Sequence, residues 1–170
     1  MNKDTPFYFS CPDSVEIQVK VDWSLPVTHD VLFHGLVEED ATAYFYAIIA
    51  IHEKEWWPYY IGKVFSQSTS QRHRAADHIA RIARLREEYP EKTFHISLGT
   101  PILKDMHEVP DSETVDDIEG LLIISNWSEK MINKRKVDRF ICTRQISLEN
   151  TGFSEHLYKR AAYGLFWAGE

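Results

Sequence analysis

Three groups of side chains in this 170-residue chain could do chemistry together: cations, a carboxylate and two phenols. The cations come from "STSQRHRAADHIARIARLREEY", whose apolar residues recur at helical spacing. At about 100° per residue, Arg74, His78 and Arg81 share one stripe, with Ala75, Ile79 and Ile82 beside it and facing the core. An Arg and a His four residues apart meet on a helix surface, and two cations held together suit a shared anion such as a phosphate. A solvated basic face is the other reading of the same residues.

Glu119 shares a helix face with Val115, Leu122 and Ile123. A carboxylate in an apolar stripe needs a cation, a metal or hydrogen bonds to offset its desolvation. It therefore reads either as a structural Glu paired with an Arg of the basic helix or as a single-carboxylate Mg²⁺ site completed by water and phosphate. Asp116 and Asp117 fall off that face and read as solvated. Tyr46 and Tyr60 sit in adjacent predicted strands, where tyrosines usually pack. At the edge of a cationic pocket such a hydroxyl could instead have a lowered pKa and act as a general base. Gly62 allows a close approach there.

The elements that must position these groups are legible in the patterning. "SVEIQVKVDW" alternates as a half-buried strand, and "VLFHGLV" suggests a partner strand or loop. "YFYAIIAI" and "YYIGKVF" predict a hairpin whose long connection is "HEKEWWP". One continuous basic helix follows, stopped by Pro90, and then the strand "KTFHISLG". Asp111 or Ser112 caps a helix through "ETVDDIEGLLIISNW". "RFICTRQISL" predicts another strand, and "SEHLYKRAAYGLFW" a closing amphipathic helix. The order argues for an α+β fold.

The bulk numbers narrow the classes. Net charge is −7, which lowers the expectation of non-specific nucleic-acid binding, yet charge is segregated along the chain. From Tyr60 to Arg86, six Lys or Arg residues face Asp77 alone, whereas from Leu103 to Glu119 seven acids face Lys104 alone. A second basic run, "EKMINKRKVDR", follows. No apolar run reaches the roughly 18 residues a bilayer span needs. "MNKDTPFYFSCPD" lacks a signal-peptide core, so a cytoplasmic location is expected. Cys11 and Cys142 read as reduced thiols, and there is no C-x-x-C or H-E-x-x-H zinc spacing.

In the order "YFY…YYIGK…RHRAADH…DIEGLLI…N" the chain resembles the GIY-YIG nuclease superfamily, over roughly Ala41 to Arg144. The YIG half is intact at Tyr60-Ile61-Gly62 and is followed by Lys63. The GIY half is degenerate, with Tyr44-Phe45-Tyr46 keeping only the final tyrosine. The superfamily's helical Arg and His match Arg74 and His78, its metal-binding Glu matches Glu119, and its later Asn matches Asn133. Arg72 competes for the arginine role, but on a continuous helix it falls nearer the apolar face, so Arg74 is preferred.

The resemblance implies a small central antiparallel or mixed sheet flanked by helices. It divides the chain into an N-terminal β extension over 1–40, a nuclease-like domain over 41–145, and a C-terminal strand and helix over 146–170 packed on the same domain. It implies metal-dependent hydrolysis of DNA phosphodiester bonds, with Glu119 holding Mg²⁺ or Mn²⁺. Tyr46 would be the general base, and Tyr60 would position the water or phosphate. Arg74 would stabilise transition-state charge, His78 would assist, and Lys63 would depress the tyrosine pKa. Arg72, Arg81, Arg84, Asn133, Lys134, Arg135 and Lys136 would contact DNA; RNA and a homodimer stay open, and no membrane partner is expected. Two alternatives remain: a catalytically inactive nucleic-acid-binding or regulatory protein on the same fold, and an acidic protein-interaction domain.

Overall fold

Alternation along Ile17–Trp23 builds strand β1, with Ile17, Val19, Val21 and Trp23 buried on one side. The computed structural model of the protein describes residues 15–33, 44–65, 69–104 and 110–164. A two-residue strand β2 (Val27–Thr28) and a short helix α1 (His29–Phe33) follow, so the part of "VLFHGLV" within the described residues is helical. Strand β3 (Phe45–His52) is buried through Ala50 on both faces, which is why "FYAIIA" reads as a continuous apolar run.

The hairpin from β3 to β4 (Glu55–Lys63) is tighter than its sequence suggests. Glu53 and Lys54 alone form the turn, both with positive φ, at 50° and 73°. That geometry matches the right-handed twist of a hairpin. The "WWP" expected in a long connection belongs to β4 instead. Pro58 is tolerated because β4 is the edge strand, and a bulge beside it shifts the register between Ile48 and Ile49.

The basic segment is two helices rather than one. Helix α2 (Thr69–Arg74) ends at Ala75, whose extended backbone (φ −63°, ψ 139°) separates it from α3 (Ala76–Glu88). Strand β5 (His95–Leu103) follows. Helix α4 (Ser112–Asn126) is capped by Asp111, whose carboxylate accepts from the Thr114 N–H at 2.7 Å. The last strands are β6 (Ile146–Gly152) and β7 (Arg160–Tyr163).

The fold is α+β, built on one mixed sheet in the order β4-β3-β5-β1-β6-β7, with β2 also pairing β5. β1 and β6 run parallel, and the other pairs are antiparallel. The stretch read as an N-terminal extension thus supplies β1, an interior strand between β5 and β6. The expected C-terminal helix is absent from the described residues. A turn and β7 take its place, because Ala161 and Tyr163 also satisfy a strand's period of two and the edge of β6 offers them partners. "RFICTRQISL" becomes strand only from Ile146.

Two cores sit on opposite faces of the sheet. Phe45, Ala47, Ile49 and Ile61 join β1, β6 and the Val115, Ile118 and Leu122 side of α4. Tyr46, Ile48, Ala50 and Tyr59 join Ile82 and Leu85 of α3 on the other face. Among the described residues no helix is long and apolar enough to cross a membrane.

Candidate functional site

Tyr46 lies in β3 opposite Gly62 of β4, on the face covered by α3, and is fully buried. Its ring centroid is 5.8 Å from that of Tyr60. Tyr60 pairs with Ile48, two residues along β3 from Tyr46, so strand alternation puts it on the same side as Tyr46, where it packs on the same core. Gly62 makes room for both phenols: a Cβ there would lie 2.7 Å from Tyr60 Cε1 and 2.8 Å from the Tyr46 hydroxyl oxygen.

Two guanidinium groups converge on that hydroxyl. Arg81 Nη1 donates to it at 3.2 Å and Arg72 Nη2 at 3.4 Å. Arg81 also stacks over the Tyr60 ring, 4.0 Å from its centroid. Asp77 braces the pair, accepting from Arg72 at 3.0 Å and from Arg81 at 3.2 Å. Burial works against the Asp77 carboxylate, yet Arg72 and Arg81 together hold its pKa below the usual range. Two cations and one anion leave the cluster one positive charge in excess.

The arginine beside the phenols is Arg72, which corrects the preference for Arg74. On a continuous helix Arg74 would share the stripe with His78 and Arg81. The break at Ala75 resets the helical phase and brings Arg72 next to Arg81, while Arg74 ends α2 on an exposed side. The same break exposes Ile79, expected in the core, while His78, Ile82 and Leu85 go inside.

His78 is therefore a floor under the phenols rather than a phosphate contact. Its ring lies 5.3 Å from that of Tyr46, and its Nε2 sits 2.9 Å from Nδ1 of His73. His29 stacks on it at 5.4 Å. Burial, with the neighbouring imidazole and guanidinium groups, holds His73 down to about 3 and His78 down to about 2, so both rings are neutral at pH 7. Burial also pushes the Tyr46 phenol well above its ordinary 10, Tyr60 adds to this, and Arg81 and Arg72 pull it only part of the way back. That direction is opposite to what a general base at neutral pH needs.

Lys63 does not reach Tyr46. Successive strand residues face opposite ways, and Lys63 pairs with Phe45 on the α4 side of the hairpin. There its Nζ meets Asp116 at 2.6 Å. Lys136 bridges the other oxygen of Asp116, at 2.9 Å, to Glu119, at 3.0 Å. Glu119 is thus satisfied by a lysine of the second basic run rather than by an arginine of α2 or α3. Asp116 and Asp117, expected to be solvated, are both engaged, Asp117 by Arg144.

A divalent ion does not fit this arrangement. Asp116 and Glu119 already neutralise two ammonium groups, so a dication would enter a cluster of no net charge, whereas such sites carry surplus carboxylate or phosphate charge. Among the described residues no group of three or more His, Cys, Asp or Glu side chains converges as metal ligands.

The outer edge of β4 joins the two faces. Ile132 N–H donates to the Tyr59 carbonyl at 2.9 Å, and the Asn133 amide both accepts from Ile61 N–H at 3.0 Å and donates to Ile61 O at 2.7 Å. Asn133 therefore extends the sheet edge as a strand would, which makes it a scaffold residue rather than a DNA contact. Lys134 and Arg135 follow it into solvent. Arg84 lies on α3, pairing with Glu88 at 3.6 Å. Sequence reasoning gave Asp77 and His73 no role at a site and read His29 as a surface or satisfied histidine. The i,i+4 spacing of Asp77 and Arg81 was the available signal for the first, while the histidines had none. Cys11, residues 66–68 between β4 and α2, and residues 165–167 at the end of the predicted closing helix lie outside the described residues.

Compared with protein-family models, curated proteins and solved structures, the chain matches none.

Proposed function

We propose that this protein binds the phosphodiester backbone of DNA along the outer edge of β4, on a scaffold resembling that of the GIY-YIG nucleases. The observation that carries the proposal is the pair of guanidinium groups, Arg72 and Arg81, meeting on one phenol and sharing one carboxylate. Planar guanidinium forks match phosphate oxygens, and a shared Asp77 leaves donors and charge over for an anion. Lys134 and Arg135 stand exposed after Asn133, which is bonded to the edge of β4, and supply further positive charge. Local positive charge of this kind, on a chain of net charge −7, gives orientation as well as affinity.

The test is fluorescence anisotropy of a labelled duplex across a salt series. Wild-type affinity falls with salt, and Arg72→Ala with Arg81→Ala weakens binding at least about tenfold near 50 mM salt, with a salt slope shallower by about one per lost phosphate contact. Binding that ignores both salt and these substitutions overturns the proposal. A single-stranded RNA of equal length, run in parallel, decides which polymer is preferred.

A second reading is metal-dependent cleavage of the bound strand. It is favoured by the strand order β4-β3-β5 with Glu119 on the helix that packs against β4. It requires Lys136 to leave Glu119. Nicking of supercoiled plasmid with Mg²⁺ or Mn²⁺, lost in Glu119→Ala, supports this reading, and intact plasmid leaves binding as the activity.

A further inference from the structure

On the face of the hairpin away from the arginines, Lys136 has left-handed backbone, with φ 62°. Non-glycine residues adopt that region at an energetic cost, so the surroundings must hold it there. What holds it is an oxygen cage. Its Nζ donates to the Asp116 carbonyl at 2.8 Å, to Asp116 Oδ2 at 2.9 Å and to Glu119 Oε2 at 3.0 Å. An ammonium has three N–H donors and no acceptor, so all three are satisfied. The carboxylates come from one helix at i,i+3, a spacing that puts them on one face. The Lys136 and Glu119 side chains are only 20% and 13% exposed, so water screens the pair weakly. Lys63 supplies a second ammonium at the remaining Asp116 oxygen.

This is the coordination of a cation by oxygen, with an ammonium at its centre. We propose that Lys136 is a built-in cation: its ammonium fills the place between Asp116 and Glu119 that a divalent ion would take, and removing the side chain turns the carboxylate pair into a divalent-cation site. The consequence for the proposed function, which rests on the nucleic-acid reading, is that phosphate contact is independent of metal. A divalent ion cannot join the cage without expelling Lys136. Expulsion would strand one ammonium and leave the left-handed backbone without the contacts that offset its strain.

The experiment is a Mn²⁺ titration of the full chain, followed by loss of the free-ion electron paramagnetic resonance signal, with no nucleic acid present. Wild type shows no saturable site below about 1 mM Mn²⁺ at pH 7.5. Lys136→Met gains one site at least about tenfold tighter, and Lys136→Met with Glu119→Gln loses it again. A tight wild-type site overturns the proposal, as does a folded Lys136→Met that gains nothing. Where Lys136→Met fails to fold by circular dichroism, Lys136→Gln is titrated in its place, with the same outcomes. Duplex binding with and without EDTA, at matched ionic strength, then tests the consequence. Affinity unchanged within about twofold supports it, and a tenfold loss in EDTA refutes it. Failure of the protein to bind DNA at all would strike the proposed function and leave the Mn²⁺ result standing.

Discussion

At the scale of single residues, the candidate site is organised around the fully buried phenol of Tyr46. Tyr46 is held by its ring on Tyr60, His73 and His78, and by its hydroxyl on Arg72 and Arg81. Gly62 is the residue that permits this. Gly62→Ala would press a methyl into both tyrosine rings and destabilise the fold by about 1–3 kcal/mol through overpacking, read as a lower urea midpoint. An unchanged midpoint would mean that the phenols are not packed on Gly62. The tyrosines, Gly62, Lys63 and Glu119 stood out in the sequence because their types are chemically specific. Whether they met could not be read there, since one residue along a strand reverses the face a side chain occupies. Gly62 and Lys63 are neighbours in the chain and belong to different clusters for that reason.

At the scale of elements, the break at Ala75 decides which arginine faces the phenols. Alanine is the best helix former, so nothing local announces a break there. Tertiary packing prevails instead, by burying His73 and His78 side by side. The C-terminal segment went the same way. Its apolar residues fit a helix or a strand, and the unpaired edge of β6 chose the strand. The other end of the sheet is finished by a side chain. Asn133→Leu would leave the Ile61 N–H and C=O without their partners, costing about 1–3 kcal/mol. Hydrogen exchange at Ile61 would speed up accordingly, and unchanged protection there would show that β4 does not depend on Asn133.

At the scale of the whole molecule, stability should depend on pH through the histidine cluster. His73 and His78 are neutral when folded and take up protons near 6.5 when unfolded. Below 6.5 the unfolded chain therefore binds protons that the folded chain refuses, and stability falls as pH drops from 6.5 toward 3. Above 6.5 both states hold neutral rings, and this contribution is flat. The loss is on the order of several kcal/mol by pH 4. Asp77 and Asp116, held below their usual 3.8, add their own loss only at still lower pH. Urea unfolding at pH 7.5, 6.0 and 4.5 measures this, with His78→Gln flattening the dependence. Equal midpoints across that range would show that the rings titrate normally in the fold.

The sequence by itself determined the α+β class, the hairpin, the capped helix α4 and the candidate residue types, because each of these is written in local periodicity, capping and composition. The tertiary structure alone decided the place of β1 inside the sheet, the pairing of Arg72 with Arg81, and the seating of Lys136 between Asp116 and Glu119. Those outcomes depend on contacts between residues far apart in the chain. Their energies come from burial and from charges brought close together, and no local pattern records either.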